Sequence, residues 1–92
     1  MRAGKPDGNQ AEIVKALRAV GCSVVITTAC GSGFPDLVVG HKGLTYLMEV
    51  KTPTGELLPN QVAFASAWKG HYTVVRSVQE ALSAVGLPPP ST

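Results

Sequence analysis

Two short β-branched runs, Asp36-Leu-Val-Val39 and Thr45-Tyr-Leu-Met-Glu-Val50, flank a Gly-containing segment from Gly40 to Leu44. Apolar runs of this length with a turn between them close as an antiparallel hairpin. A hairpin alone is not stable in water, so the surrounding elements decide the fold. Upstream, Asn9 stands three residues before Glu12, the spacing of a capping box. Ile13, Val14, Leu17 and Val20 then form one apolar stripe at helical period, and Gly21 sits where a helix terminates. These signals predict a helix over 10–20. Ser23 to Thr28 reads as a strand, and Ala29 to Pro35 as a Gly-rich loop.

Downstream of the hairpin, Thr52 to Leu58 reads as loop, and Pro59 suits the first position of a helix running to about Lys69. His71 to Val75 reads as a fourth strand. Ser77-x-x-Glu80 is a capping box before the apolar stripe Val78, Ala81, Leu82 and Val85, with Gly86 after it. The order α-β-β-β-α-β-α predicts an α/β fold: a small mixed sheet of about four strands flanked by helices. One domain is expected over 1–92, with its core at about 9–86 and flexible termini at 1–8 and 87–92.

Composition narrows the function classes. Charged residues make up 15% of the chain, against about 25% in an average domain, while 45% are apolar. Apolar surface left uncovered by so short a chain fits a second copy, so a homodimer is expected. The net charge of +2 excludes a polycationic arm, so any nucleic-acid role must come from a local site. The longest uncharged stretch, Ala19 to Pro35, is broken by glycines and hydroxyl residues, which excludes a membrane span. Met1 to Gln10 lacks the apolar segment of a signal peptide, so a cytoplasmic protein is expected. Cys22 and Cys30 lack metal or redox spacing and are expected to be free thiols.

The chemistry concentrates in Pro35-Asp36 and Glu49-Val50-Lys51. Alternate strand residues share a face, so Glu49 and Lys51 point the same way across Val50. A closed hairpin puts Asp36 roughly opposite them. Two carboxylates and an ammonium then meet at one end of the sheet. Hard oxygen ligands of this kind suit Mg²⁺ or Mn²⁺. A neighbouring lysine orients a metal-bound water or neutralises a scissile phosphate. The combination describes metal-assisted phosphodiester hydrolysis.

These residues resemble the PD-(D/E)xK signature of the restriction-endonuclease-like nucleases. With Glu12 in a leading helix and Pro59-Asn60-Gln61 trailing, the chain is similar to the virus-type replication-repair nuclease (VRR-NUC) domain over roughly Asn9 to Leu82. The resemblance implies that Asp36, Glu49 and the Val50 backbone carbonyl bind the metal, that Lys51 is catalytic, and that Glu12 and Gln61 complete the site. The departure from the pattern is Leu58, where a hydroxyl helix cap is common. Stand-alone domains of this type are dimers that cut four-way junctions, which implies branched DNA as substrate, a repair setting and a phage or bacterial source.

Several of these residues also have plainer readings. The capping box with Asn9 accounts for Glu12 without a metal. Gln61 shares a helical face with Phe64, Ala65 and Trp68, and a polar residue on a core-facing stripe needs a partner. Reciprocal capping does not supply one, since Leu58 has no side-chain oxygen. Ser32, between two glycines, offers a phosphate its hydroxyl and backbone amides, or is simply loop. Trp68 and Tyr72 read as core or interface. Lys5, Lys15, Arg18, Lys42, Lys69 and Arg76 are candidate phosphate contacts. The function expected is a metal-dependent DNA endonuclease. The alternatives are a non-catalytic nucleic-acid-binding module that keeps the fold, and an interaction domain with an accidental motif.

Overall fold

The computed structural model describes residues 9–87. The expected flexible segments at 1–8 and 88–92, and Lys5 with them, lie outside the described residues. The elements are α1 (Gln10–Ala19), β1 (Ser23–Ile26), β2 (Leu37–His41), β3 (Leu44–Val50), α2 (Pro59–Ala67), β4 (Tyr72–Val75) and α3 (Val78–Ala84), with a short 3₁₀ turn at Thr28–Cys30. The element order matches the expected one.

One four-stranded sheet runs β1-β2-β3-β4. The first three strands are antiparallel neighbours, and β4 pairs parallel to β3. A parallel partner needs a crossover, and α2 supplies it. The alternation of side chains splits the sheet into two unlike faces. Leu37, Val39, Met48, Val50 and Val75 point to one face and are fully buried. They pack with Ile13, Val14 and Leu17 of α1 and with Ala81, Leu82 and Val85 around α3. Asp36, Leu47, Glu49 and Lys51 fall on the opposite side, where α2 crosses.

The hairpin is tighter than its sequence suggests. His41 pairs with Leu44, so the turn is only Lys42-Gly43 and not the five residues from Gly40 to Leu44. Both turn residues have positive φ, +51° and +82°, as a two-residue turn matched to strand twist requires. Strand β2 gains Gly40 and His41 as a result, and starts after Asp36. Strand β1 ends at Ile26 instead of Thr28. Thr27 still donates its N–H to the Asp36 carbonyl (2.7 Å), and its hydroxyl donates to the Pro35 carbonyl (2.8 Å), before the chain curls into the 3₁₀ turn.

Helix α2 ends two residues earlier than expected. Trp68 adopts extended backbone, and its ring stacks on Phe64 with centroids 5.4 Å apart. The helix buries no residue fully; Gln61, Phe64 and Ala65 are half-buried, while Trp68 is exposed. The capping expectations hold unevenly. Ser77 Oγ accepts from the Glu80 N–H (3.1 Å), but Glu80 Oε1 reaches the Arg76 N–H instead of the cap's own. Asn9 makes no side-chain cap at all.

Candidate active site

Asp36 sits just before β2 and Glu49 near the end of β3, so the hairpin register brings them together: Leu37 pairs with Met48. Both carboxylates are buried, Asp36 to 8% and Glu49 to 2% exposure. Buried acids are rare unless partnered. Asp36 Oδ2 accepts the Val50 N–H (3.0 Å), which fixes that carboxylate against the end of β3. Glu49 Oε2 accepts from Gln61 Nε2 (3.2 Å) and lies 3.8 Å from Lys51 Nζ. Lys51 itself is half-buried.

Gln61 links the helix to the sheet. Its Oε1 accepts the Leu58 N–H (2.8 Å) while its Nε2 reaches Glu49. Half of the reciprocal cap therefore forms after all, because the glutamine needs only the backbone N–H of Leu58. The same side chain serves the helix start and the acidic pair. Gly33 makes this placement workable. It is buried with φ +80°, and a Cβ there would drive into the Asn60 backbone carbonyl. The loop before Asp36 thus rests directly on the first turn of α2.

Lys51 is held by its backbone from two sides. Its N–H donates to the Val75 carbonyl (3.0 Å), and its own carbonyl accepts from Asn9 Nδ2 (3.0 Å). Asn9 Nδ2 also reaches the Arg76 carbonyl (3.2 Å), so one amide pins the ends of β3 and β4 to the start of α1. Sequence spacing cast Asn9 as a helix cap; its use as a cross-strand clamp had no local signal. Arg76 is a second clamp and not an open phosphate contact. Its Nη1 donates to the Thr52 and Gly55 carbonyls (2.8 and 2.6 Å), tying down the loop that follows Lys51. Arg18 likewise donates to the Val24 carbonyl (3.0 Å). Lys15, Lys42 and Lys69 remain exposed.

The structure does not bring Glu12 into the acidic pair. The register of α1 turns Ile13, Val14 and Leu17 to the core and leaves Glu12 exposed in the first turn. Among the described residues no group of three acidic, His or Cys side chains is placed to hold a metal ion. Ser32 is exposed with φ +58° in the loop before Asp36. Cys22 and Cys30 are free thiols, the first buried and the second exposed. Cys22 Sγ lies 3.6 Å from His41 Nδ1 at the end of the β1-β2 ladder away from Asp36, and burial pushes its thiol up.

Tyr72, read from the sequence as core or interface, does pack against α2. Its ring packs on Phe64 of α2 (centroids 6.0 Å), and its hydroxyl is buried with no hydrogen-bond partner. Burial, and then the charges of Glu49 and Asp36, push that hydroxyl above its ordinary range. The strand register puts Tyr72 on the sheet face that carries Glu49.

The donor set suits a divalent cation. Two carboxylates are buried at the same end of the hairpin, and Lys51 stands 3.8 Å from one of them, long for an ion pair. Hard oxygen donors of this kind are what a divalent cation such as Mg²⁺ takes. Asp36, Glu49 and the adjoining Val50 backbone are the groups that would hold one.

The family model described as archaeal Holliday junction resolvase (Hjc) matches residues 2–80. No curated protein matches significantly. The match and the four-stranded sheet flanked by helices agree on a restriction-endonuclease-like core. No helix among the described residues is long and apolar enough to cross a membrane.

Proposed function

The chain belongs to the archaeal Holliday junction resolvase family, within the PD-(D/E)xK nuclease-like superfamily, and from that premise we propose that it is a metal-dependent endonuclease that resolves four-way DNA junctions. The observation that carries the reading is the buried Asp36–Glu49 pair, with Lys51 Nζ 3.8 Å from Glu49 Oε2. Burial of two acids at one sheet end, with a half-buried ammonium beside them, serves no packing need that apolar residues would not meet better. The resemblance to the VRR-NUC type, noted from Glu12 and Pro59-Asn60-Gln61, is compatible with the same chemistry.

A Mg²⁺ or Mn²⁺ held by Asp36, Glu49 and the Val50 carbonyl would supply an activated water and neutralise charge at the scissile phosphate. The chain's own residues do the positioning. Asp36 is oriented by the Val50 N–H, and Glu49 by Gln61 Nε2. Lys51 presents its ammonium beside Glu49, where it stabilises negative charge developing on a phosphate oxygen. Asn9 holds the Lys51 backbone against the end of β4. Glu12, exposed at the start of α1, stands as an outer acid able to turn toward the ion or the DNA.

The same reading includes a homodimer. Leu58, Val62 and Trp68 are 57%, 48% and 43% exposed along α2 and its ends, an apolar surface beside the site. A two-fold pair would present two metal sites to a junction that is itself two-fold.

Incubating labelled four-way junctions and linear duplexes with Mg²⁺, and with a chelator, tests the activity. Junction cleavage should need the metal. Asp36→Asn should weaken both Mn²⁺ binding and cleavage, whereas Lys51→Ala should abolish cleavage and leave metal binding in place, since an ammonium is not a ligand. Equal Mn²⁺ affinity in Asp36→Asn and wild type would remove that ligand from the scheme. Intact cleavage by Lys51→Ala would remove the lysine from the scheme, and junction binding without cleavage by metal-loaded wild type would leave the non-catalytic binding module as the better reading.

A further inference from the structure

Tyr72 carries a feature that the fold does not require. It occupies β4 opposite Leu47, one pair along the parallel ladder from the Met48–Thr73 pair and two from the Glu49–Val74 pair. Alternation places Tyr72 on the same face as Glu49 and Lys51. Helix α2 spans that face: Gln61 reaches Glu49, and Phe64, one turn on, packs against the Tyr72 ring. The hydroxyl at the end of the ring is buried and has no partner. Buried hydroxyls are almost always hydrogen-bonded, and phenylalanine would fill the same space without leaving a polar atom unsatisfied.

We propose that Tyr72 is a positioning residue of the metal site, its hydroxyl holding a water of the ion's shell. The inference rests on the metal-dependent reading above. Mg²⁺ sheds its waters reluctantly and keeps several of them when bound by one or two carboxylates. Each retained water donates hydrogen bonds and so needs acceptors nearby. A phenolic hydroxyl both accepts and donates, so Tyr72 can accept a hydrogen bond from such a water and donate its own toward the carboxylates. The unsatisfied hydroxyl is then satisfied only in the loaded site.

Outer partners of a metal site typically carry a 10- to 100-fold effect on affinity or activity. Calorimetric titration of Mn²⁺ into DNA-free protein should therefore show Tyr72→Phe binding about tenfold more weakly than wild type. The variant should melt no lower than wild type without metal, because it loses an unpaired buried hydroxyl. Weaker binding together with unchanged or higher melting separates positioning from a structural role. A second measurement does not depend on that variant. Wild-type protein labelled with 3-fluorotyrosine has two fluorine resonances, from Tyr46 and Tyr72, and Mg²⁺ should shift the one that persists in Tyr46→Phe. Mn²⁺ affinity of Tyr72→Phe equal to wild type, with Asp36→Asn impaired, overturns the role of Tyr72 and leaves the metal site standing. A Tyr72 resonance indifferent to Mg²⁺ does the same. Absence of metal binding by wild type overturns both.

Discussion

Gly33→Ala tests how the loop before Asp36 sets the position of α2. Gly33 has φ +80°, and a Cβ built there lies 2.7 Å from the Asn60 carbonyl carbon. Two penalties add. A left-handed backbone costs an alanine about 1–2 kcal/mol relative to glycine. Overpacking against backbone, which cannot rotate away as a side chain can, costs about 1–3 kcal/mol more. The sum, about 2–5 kcal/mol, is a large share of the roughly 5–14 kcal/mol expected for a chain of 92 residues. Gly43 provides the control. Its φ of +82° is nearly the same, but a Cβ there meets nothing within 4 Å. Gly43→Ala should therefore lose only the backbone term. Urea denaturation of the two variants reads the difference directly. Part of the clash at Gly33 will be relieved by moving the first turn of α2, and Gln61 moves with that turn. Junction cleavage should accordingly fall in Gly33→Ala under conditions where it is still folded, and persist in Gly43→Ala. Equal destabilisation of the two variants would refute the argument that close approach to Asn60 matters.

Asn9→Ala removes two hydrogen bonds to the ends of β3 and β4. It should cost about 1–3 kcal/mol by urea denaturation and lower the cleavage rate through Lys51, and an unchanged rate would show that the clamp is idle. Alkylation at pH 8 followed by mass analysis should modify exposed Cys30 and spare Cys22, since a thiol whose pKa is raised by burial holds less thiolate at that pH. Replacing both cysteines with serine should leave junction cleavage intact in the folded protein. Trp68→Glu should shift the light-scattering mass from dimer to monomer, and an unchanged mass would place the interface elsewhere.

Local periodicity determined the element order, the hairpin and the side-by-side placement of Glu49 and Lys51, because each depends on spacing within a few residues. The same rule placed Asp36 beside them once the hairpin was assumed. Boundaries were less legible. The turn shrank to Lys42-Gly43 because Lys42 accepts positive φ, a choice its residue type does not announce. Helix α2 stopped at Ala67, where Trp68 turns to extended backbone two residues before the expected end.

Tertiary structure alone decided what the polar side chains do. Asn9 had a local option, capping α1, and gave it up for carbonyls 42 and 67 residues away. Arg76, read as a surface cation, spends its guanidinium on Thr52 and Gly55, and Tyr72 shares the face of Glu49 because β4 lies parallel beside β3 in that register. Glu12 was left outside that pair because the apolar stripe of α1, buried against the sheet, fixes which way the helix faces. Hydrophobic pattern repeats along the chain and is read locally. A hydrogen bond depends on two groups meeting within about 3 Å, and which groups meet is known only when the strands and helices have packed.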